Sequence, residues 1–313
     1  MKLRIVFLIV VLFSFSCSWL KKSWSNLNLF PVAQDIELGK QVAAEIEANP
    51  ADFPILPQRG NEALYNYVNG VAKKILATNI VDYTKDFAWK VSIINDPKTL
   101  NAFCTPGGYI YVYTGLLSYL DSEDEFAGVM GHEMAHAARR HSTKQLTKAL
   151  GVQVLLDAAL GNKEILKQVT GALVVMSFSR AHEAEADSFS VKYLCPTTWK
   201  SNGAAGFFRK IENQPTPPQW LSTHPSPTNR VKSIDSKSIE LGCKGNETNA
   251  TSYNQIKALI KNITPPPPKP SKSGTGNQAP SIPSSTKTSD PNKDKAPPSN
   301  STTKPQNKVL KKG

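Results

Sequence analysis

The chain has 313 residues, of which 40% are hydrophobic and 20% are charged, and its formal net charge is +12 at pH 7. That length is sufficient for one domain with a sizeable core and additional flanking segments. Almost all of the excess charge lies outside the middle of the chain, in a lysine-rich C-terminal tail and at Lys2, Arg4, Lys21 and Lys22. The nearly neutral middle therefore gives no support for a specific nucleic-acid-binding domain.

The N-terminal stretch 1–17 has the pattern of a secretory signal peptide. Two basic residues precede an apolar run that is shorter than the roughly 20 residues a membrane-spanning helix needs. Ser14 and Ser16 suit ordinary cleavage before Cys17, and the stretch 12–17 also resembles a relaxed bacterial lipobox in which Cys17 becomes lipidated. We favour the lipoprotein type and expect a location in the bacterial cell envelope, facing the periplasm, with membrane attachment through the lipid.

Composition divides the rest of the chain into three parts. We predict a linker at 18–32, a folded domain at 33–262 and a tail at 263–313. The tail begins with consecutive prolines and continues in Lys, Ser, Thr, Asn and Pro. It cannot bury enough apolar surface to offset the entropy of ordering, so we predict that it is disordered.

Three cysteines fall within the predicted domain. In an oxidising compartment Cys195 and Cys243 could form a disulfide that joins the last helices. Cys104, near the expected cleft, is expected to be a small core residue; the alternative is a thiol switch.

Hydrophobic periodicity predicts a mostly helical domain with a small sheet. Apolar residues that recur every three to four positions predict helices at 35–48, 61–77, 123–140, 144–159, 163–178, 180–194, 202–212 and 229–241. Alternating residues predict strands at 87–94 and 109–113, and a Pro-Gly-Gly turn precedes the second strand. Ser122 and Glu125 form a capping-box pattern, which places one helix start near Glu123.

The helix predicted from Glu123 carries the run Gly131-His132-Glu133-Met134-Ala135-His136. A helix turns about 100° per residue, so histidines four positions apart project from one face and can reach one metal ion. Glu133 lies beside them, toward the open side of such a site. The pattern is typical of the half of a metallopeptidase that supplies two zinc ligands and a base.

A catalytic zinc ion takes three protein ligands and keeps a fourth position for water. The metzincin position for a third histidine is Ser142 here, and His141 would point about 140° away on a continuing helix, so we expect His141 at the surface. Glu183 and Asp187 lie four apart on a later helix. One carboxylate can bind the metal while the other accepts the free N–H of a ligand histidine. Glu185, about 200° from Glu183, is expected to be solvated.

Four segments, taken together, resemble one group of zinc endopeptidases. The stretch 101–112, the H-E-x-x-H run, the stretch 179–187 and the late loop 221–230 are similar, in this order, to the signatures of HtpX-like and periplasmic BepA-like enzymes. That group is related to the CAAX prenyl protease and to the mitochondrial Oma-type peptidase. The resemblance covers about residues 33–242.

The resemblance implies an α+β, gluzincin-type metallopeptidase fold with one Zn²⁺ per chain. It implies His132, His136 and Glu183 as the zinc ligands and Glu133 as the base that activates water. Asp187 then remains to orient a ligand histidine. The expected substrates are unfolded, misfolded or misassembled proteins of the cell envelope. The alternative function is a chaperone-like envelope assembly factor that keeps the fold and cleaves little.

Two further parts of the cleft are predicted. The fold is expected to place the strand before the active helix at an exposed edge, where an extended substrate could pair with Tyr109, Ile110, Tyr111, Val112 and Tyr113. His224 has three open roles. It could stabilise the oxyanion together with Arg230, occupy the fourth zinc position and keep the enzyme latent, or simply pack within its loop.

Overall fold

The computed structural model of the protein describes residues 28, 30–212, 214, 218–226 and 229–267. The predicted signal peptide 1–17 with Cys17, and most of the predicted linker and tail, lie outside these residues. Among the described helices, none combines the length and the apolar character that crossing a bilayer requires.

Helices dominate the described chain and surround a small sheet. The helices are α1 Val32–Glu47, α2 Glu62–Leu76, α3 Thr114–Tyr119, α4 Glu123–Ala138, α5 His141–Leu150, α6 Val152–Ala159, α7 Lys163–Val175, α8 Arg180–Leu194, α9 Gly203–Glu212, α10 Trp220–Thr223, α11 Arg230–Glu240 and α12 Ala250–Lys261. The strands are β1 Lys90–Ile94, β2 Ala102–Thr105 and β3 Tyr109–Tyr113. The prediction of a mostly helical α+β domain with a small sheet is confirmed.

The sheet has the strand order β1-β3-β2, so β3 lies in its middle. β1 pairs with β3 in parallel, and β2 pairs with β3 antiparallel. The prediction that Tyr109, Ile110, Tyr111, Val112 and Tyr113 form an exposed edge strand is therefore wrong. The four residues of β2 are too few to show a period, and they fold back across the Pro106–Gly108 turn, where Gly107 adopts a φ of 73°.

Alternate strand residues point to opposite faces of the sheet, which separates two apolar clusters. Cys104, Ile110 and Val112 face the larger cluster, which α2, α4 and α9 help to form. Phe103, Tyr111 and Tyr113 face the second cluster, which includes residues of α1, α6 and α7. Helix α4 therefore lies beneath one face of the sheet, with its H-E-x-x-H segment in the interior.

Glycine allows α4 and α9 to approach closely. A Cβ atom added to Gly128 would lie 2.2 Å from the backbone nitrogen of Ala204, and one added to Gly203 would lie 1.9 Å from the carbonyl oxygen of Asp124. On the other side of α4, the Ser190 hydroxyl of α8 donates to the Gly128 carbonyl at 2.7 Å. These contacts set the position of α4 between α8 and α9.

Several helix ends differ from the predictions. The predicted helix 144–159 is divided at Gly151, whose φ of 88° ends α5 and precedes α6. Helix α4 starts at Glu123 as predicted, but the capping box does not form, because Ser122 bonds to the Asp124 side chain instead. Helix α12 was missed, although its residues lie within the predicted domain.

A disulfide joins Cys195 and Cys243, with 4.9 Å between their Cα atoms. It connects the end of α8 to the segment after α11, so the suggested pairing is present. Cys104 is buried, as expected.

The close approach at Gly128 predicts a large loss of stability for Gly128→Ala. The added methyl group meets backbone, which cannot move aside as a flexible side chain would, so we expect the free energy of unfolding to fall by at least about 2 kcal/mol. Gly70→Ala, in a helix with open space around the glycine, is the matched control and should gain up to about 1 kcal/mol. Urea unfolding followed by circular dichroism measures both, and equal effects would contradict the proposed contact.

Candidate metal centre

Three elements bring four side chains to one buried point. His132 and His136 come from α4, Glu183 from α8, and His224 from the residue that follows α10. Their nitrogen and oxygen atoms all lie within 4.8 Å of one another, and each residue is 0% exposed. The predicted ligand triad thus comes together, and His224 joins it.

The distances between these donor atoms fit a tetrahedral metal ion. Ligand atoms at roughly 2.0–2.2 Å from a tetrahedral zinc ion lie about 3.3–3.6 Å from one another. The Nε2 atoms of His132 and His136 are 3.0 Å apart, and they lie 3.4 and 3.3 Å from the two carboxylate oxygens of Glu183. Nδ1 of His224 lies 3.4 Å from His132 Nε2 and 3.0 Å from Glu183 Oε1. Three imidazoles and a carboxylate are also the donor types that zinc prefers.

The guanidinium of Arg230 balances the buried negative charge beside the cluster. Its Nη2 donates to Asp187 at 2.8 Å and to Glu183 at 3.1 Å, and its Cζ lies 3.6 Å from the centre of the Phe208 ring. Burial alone would raise the pKa of Glu183. The charge of His224 and hydrogen bonds from the other two cluster histidines instead hold that pKa well below its ordinary value.

Asp187 contacts the ring nitrogen of His132 that faces away from the cluster. Its Oδ1 lies 2.9 Å from His132 Nδ1. A carboxylate in this place accepts the Nδ1–H and leaves the lone pair of Nε2 directed at the cluster. This is the role that the sequence assigned to one of the two carboxylates on α8.

Glu133 lies next to the cluster without being part of it. The side chain is buried, and neither carboxylate oxygen has a hydrogen-bond partner in the described part of the chain. Burial raises the pKa of Glu133 to about 7, and the charges of His224 and Arg230 oppose that rise. The Cys104 thiol of β2 is close enough to interact with the same carboxyl group. A buried carboxyl group of this kind can exchange a proton near neutral pH.

His224 is held in the cluster by its own segment. Its ring stacks on Trp220, with 4.3 Å between centroids, and its Nε2 lies 3.5 Å from a carboxylate oxygen of Glu133. The backbone N–H of Trp220 donates to Leu100, and the Thr223 carbonyl accepts from Phe178. Residues 220–224 thus span from the chain before β2 to the chain before α8, across the cluster.

The sequence suggested that His141 lies at the surface. In the structure it is 0% exposed. The expectation assumed that the helix of His136 continues, whereas α4 ends at Ala138 and Arg140 turns the chain with a φ of 57°. Nδ1 of His141 therefore lies 3.0 Å from Nδ1 of His136. Glu185 is also less solvated than expected, because it contacts both Arg139 and His141.

A model of the protein family described as "Peptidase family M48" matches residues 63–238, from α2 to α11. The chain belongs to peptidase family M48. The matched range contains every residue of the cluster described above. The family assignment confirms the resemblance to HtpX-like, BepA-like and Oma-type peptidases, and with it the gluzincin-type domain.

Three relatives illustrate the similarity within family M48. The chain is 30% identical over 177 residues to the mitochondrial metalloendopeptidase OMA1 of Schizosaccharomyces pombe, which covers 54% of this chain and 51% of that protein. It is 34% identical to the mitochondrial metalloendopeptidase OMA1 of Danio rerio, over 47% of this chain and 35% of the relative. It is 24% identical to the beta-barrel assembly-enhancing protease of Yersinia pestis, over 65% of this chain and 46% of the relative. The chain thus spans about half or less of the length of these relatives.

Some side chains around the cluster could not be found from the sequence. Phe178 packs on the ring of His136 with 4.0 Å between centroids, and Trp220 and Phe208 support His224 and Arg230. Phe178 lies between two helices and Trp220 in a helix of four residues, so neither carries a periodic signal, and the period of α9 does not show that Phe208 contacts Arg230. The small number of histidines could have indicated that His141 belongs to the site. The chain has only five histidines, and each of them lies within this cluster or directly beside it.

The balance of buried charge predicts that Arg230→Met destabilises the metal-free protein. The variant leaves two buried carboxylates without their cation, and we expect a loss of about 3–5 kcal/mol in the free energy of unfolding with EDTA present. Saturating zinc should reduce that loss, since a bound cation replaces part of the missing charge. Arg209→Met, which breaks a half-exposed ion pair with Asp235, is the control and should cost less than about 1 kcal/mol. Similar losses for the two variants would contradict this account of Arg230.

Proposed function

We propose that this protein is a zinc-dependent endopeptidase. The observation that carries the proposal is the carboxyl group of Glu133, which is buried beside the four-donor cluster and accepts no hydrogen bond from the described residues. A buried polar group without a partner costs about 1–3 kcal/mol. A protein that only binds other proteins does not need this destabilising buried carboxyl group. A peptidase needs it, because a base must lie at this position.

In the proposed reaction His132, His136 and Glu183 bind the metal. Glu133 acts first as the general base and then as the general acid. Zinc bound there would supply Lewis acidity, which makes water a good nucleophile near neutral pH. Glu133 accepts the proton of the attacking water and passes it to the nitrogen of the leaving amine. Asp187 keeps the His132 ring in the orientation that ligation requires.

Arg230 supports the ligands through charge. Its Nη2 is already bonded to Glu183 and Asp187. These contacts favour a role in holding the two carboxylates in place over the suggested role at the oxyanion.

We infer that His224 occupies the fourth ligand position and keeps the enzyme latent. Its Nδ1 lies among the other donor atoms, where a catalytic zinc ion keeps a position for water. Glu133 and the cluster residues are at most 1% exposed in this arrangement. Displacement of residues 220–224 would open the fourth position and expose Glu133 in one movement.

The strand β2 replaces β3 as the proposed site of substrate pairing. The Tyr113 N–H donates to the Asn101 carbonyl, so alternation along the antiparallel pair directs the backbone groups of Cys104 away from β3. Cys104 also lies beside Glu133. An extended peptide that pairs with this edge would therefore pass the base. The residues of β2 are buried at present, so this pairing also requires an opening.

We propose misfolded or misassembled proteins of the cell envelope as substrates. Two observations support this. One relative is named a beta-barrel assembly-enhancing protease, and the Cys195–Cys243 disulfide suits an oxidising compartment. The OMA1 relatives carry the word mitochondrial in their names, so the envelope location rests on the disulfide and on the leader pattern 1–17.

Glu133→Gln should abolish peptidase activity without loss of the metal. Glutamine has nearly the same shape but cannot accept the proton, and we expect casein cleavage to fall about 10²–10⁴-fold. Metal analysis should show the zinc content of the wild-type protein. Glu164→Gln, at an exposed position of α7, is the matched control and should cleave normally. Activity of Glu133→Gln equal to that of the wild type would contradict the proposal.

His224→Ala separates latency from a role in the transition state. If His224 blocks the fourth position, the variant should cleave faster, by about 10-fold if a tenth of the wild-type molecules are open. If His224 stabilises the oxyanion, cleavage should fall instead. If neither the wild-type protein nor the variant cleaves, although both bind zinc, the chaperone-like assembly factor becomes the better description.

A further inference from the structure

A chain of contacts leads away from the cluster on the side of His136. Nδ1 of His136 lies 3.0 Å from Nδ1 of His141, and Nε2 of His141 lies 3.3 Å from a carboxylate oxygen of Glu185. The other oxygen of Glu185 accepts from Nε of Arg139 at 2.7 Å, and Nη1 of Arg139 donates to Asp82 at 2.9 Å. The chain therefore begins at a candidate zinc ligand and ends in a charged network at the surface.

Packing holds both imidazole rings of this chain in place. The face of His136 lies against Phe178, with 4.0 Å between centroids. His141 stacks on His182 at 4.3 Å, and the two planes differ by only 10°. Because an aromatic ring lies against one face of each imidazole, each ring presents its two nitrogens in fixed directions. For His136 these directions are the cluster and His141.

The backbone also supports this placement. Arg140 adopts a left-handed conformation and starts α5 at His141, which turns that side chain back toward α4. The Arg140 side chain is bonded to Asp35 and to the carbonyl of Phe30. Asp35 is 1% exposed, so the turn that positions His141 is itself tied to buried groups of α1 and of the chain before it.

We propose that His141 is a positioning residue that orients His136 for metal binding. Only one proton can lie between the two Nδ1 atoms. With that proton on His136, its Nε2 has a free lone pair directed at the cluster, and His141 acts as the acceptor. His141 then carries its own proton on Nε2, where Glu185 accepts it. The reverse arrangement would protonate His136 on Nε2 and prevent ligation.

The two candidate histidine ligands are therefore oriented by different groups. His132 donates directly to a carboxylate, Asp187, which lies two residues beyond Glu185 on α8. His136 reaches a carboxylate of the same helix through a second imidazole. Partners of this kind fix the tautomer of a ligand histidine, and their loss typically weakens metal affinity by about 10–100-fold.

This inference rests on the proposed function, because it requires His136 to be a zinc ligand. The test is zinc affinity, measured by competition with a chromophoric chelator on the full chain. His141→Phe keeps an aromatic ring but removes the acceptor, and we expect zinc to bind about 10–100-fold more weakly. His141→Asn keeps an acceptor oxygen at the same number of bonds from Cβ, and it should recover most of that loss.

His182→Phe is the matched control. It makes the same substitution in the neighbouring stacked ring, which contacts His141 only through its face, and it should leave zinc affinity unchanged. Thermal unfolding of the metal-free variants reports any general loss of stability. Wild-type affinity for His141→Phe, or equal losses for His141→Phe and His182→Phe, would overturn the proposal. Failure of His141→Asn to bind better than His141→Phe would overturn it as well.

A second measurement needs no variant. Long-range ¹H–¹⁵N spectra of the histidine rings, recorded on the zinc-loaded wild-type protein, report which nitrogen of each ring carries the proton. We expect His141 to be protonated on Nε2 and unprotonated on Nδ1. A proton on Nδ1 of His141 would overturn the proposal even if His141→Phe does not fold. If the wild-type protein binds no zinc, the proposed function fails; if it binds zinc with the wrong His141 tautomer, only the positioning role fails.

Discussion

The buried guanidinium of Arg230 bonds to Glu183 and Asp187, and the rest of the site depends on this contact. Removing two carboxylates from water costs several kcal/mol for each ion unless opposite charge and hydrogen-bond donors replace the solvent. Arg230 and the cluster histidines supply both. Helix α8, which carries the carboxylates, is thereby held against α4 and against the start of α11. The same charge balance keeps Glu183 ionised and able to bind a cation.

Around this charge balance, the two cluster histidines of α4 each have their other nitrogen engaged, whereas Nε2 of His224 makes no hydrogen bond among the described residues. Asp187 lies at Nδ1 of His132, His141 at Nδ1 of His136, and Glu133 near Nε2 of His224. These contacts leave one nitrogen of each ring facing a common point. A cluster of this kind is prepared for a metal ion before the ion arrives, so little reorganisation is needed on binding.

The candidate metal site is closed to solvent in this structure, so access to it requires an opening. Trp220 and His224 cover the donors. Among the described residues, two backbone hydrogen bonds to Leu100 and Phe178, aromatic stacking and the contact of His224 with Glu183 hold their segment. Contacts confined to one short segment can be broken by a local opening at lower cost than global unfolding. Access to Glu133 and to the edge strand β2 would then be decided by one short segment.

Much of the fold and of the site follows from local patterns in the sequence. The 3.6-residue period reveals the long helices because burial of one helix face imposes it. The spacing of His132, Glu133 and His136, and of Glu183 and Asp187, places these groups on common faces of two helices, as the structure shows. The resemblance to HtpX-like and BepA-like enzymes rested on these residues together with the stretches 101–112 and 221–230. Short elements such as β2 were not predicted, because four residues are too few to show a period.

The sequence by itself determined which residues are candidates for the chemistry and which helix faces hold them, because these depend on spacing within single elements. Tertiary structure alone decided three matters. β3 became an inner strand because β2 folded back beside it, and His141 moved inside because Arg140 turned the chain. His224 met the other donors through a loop about 40 residues beyond Glu183. Each outcome depends on contacts between segments that are distant in sequence, and no local periodicity encodes such contacts.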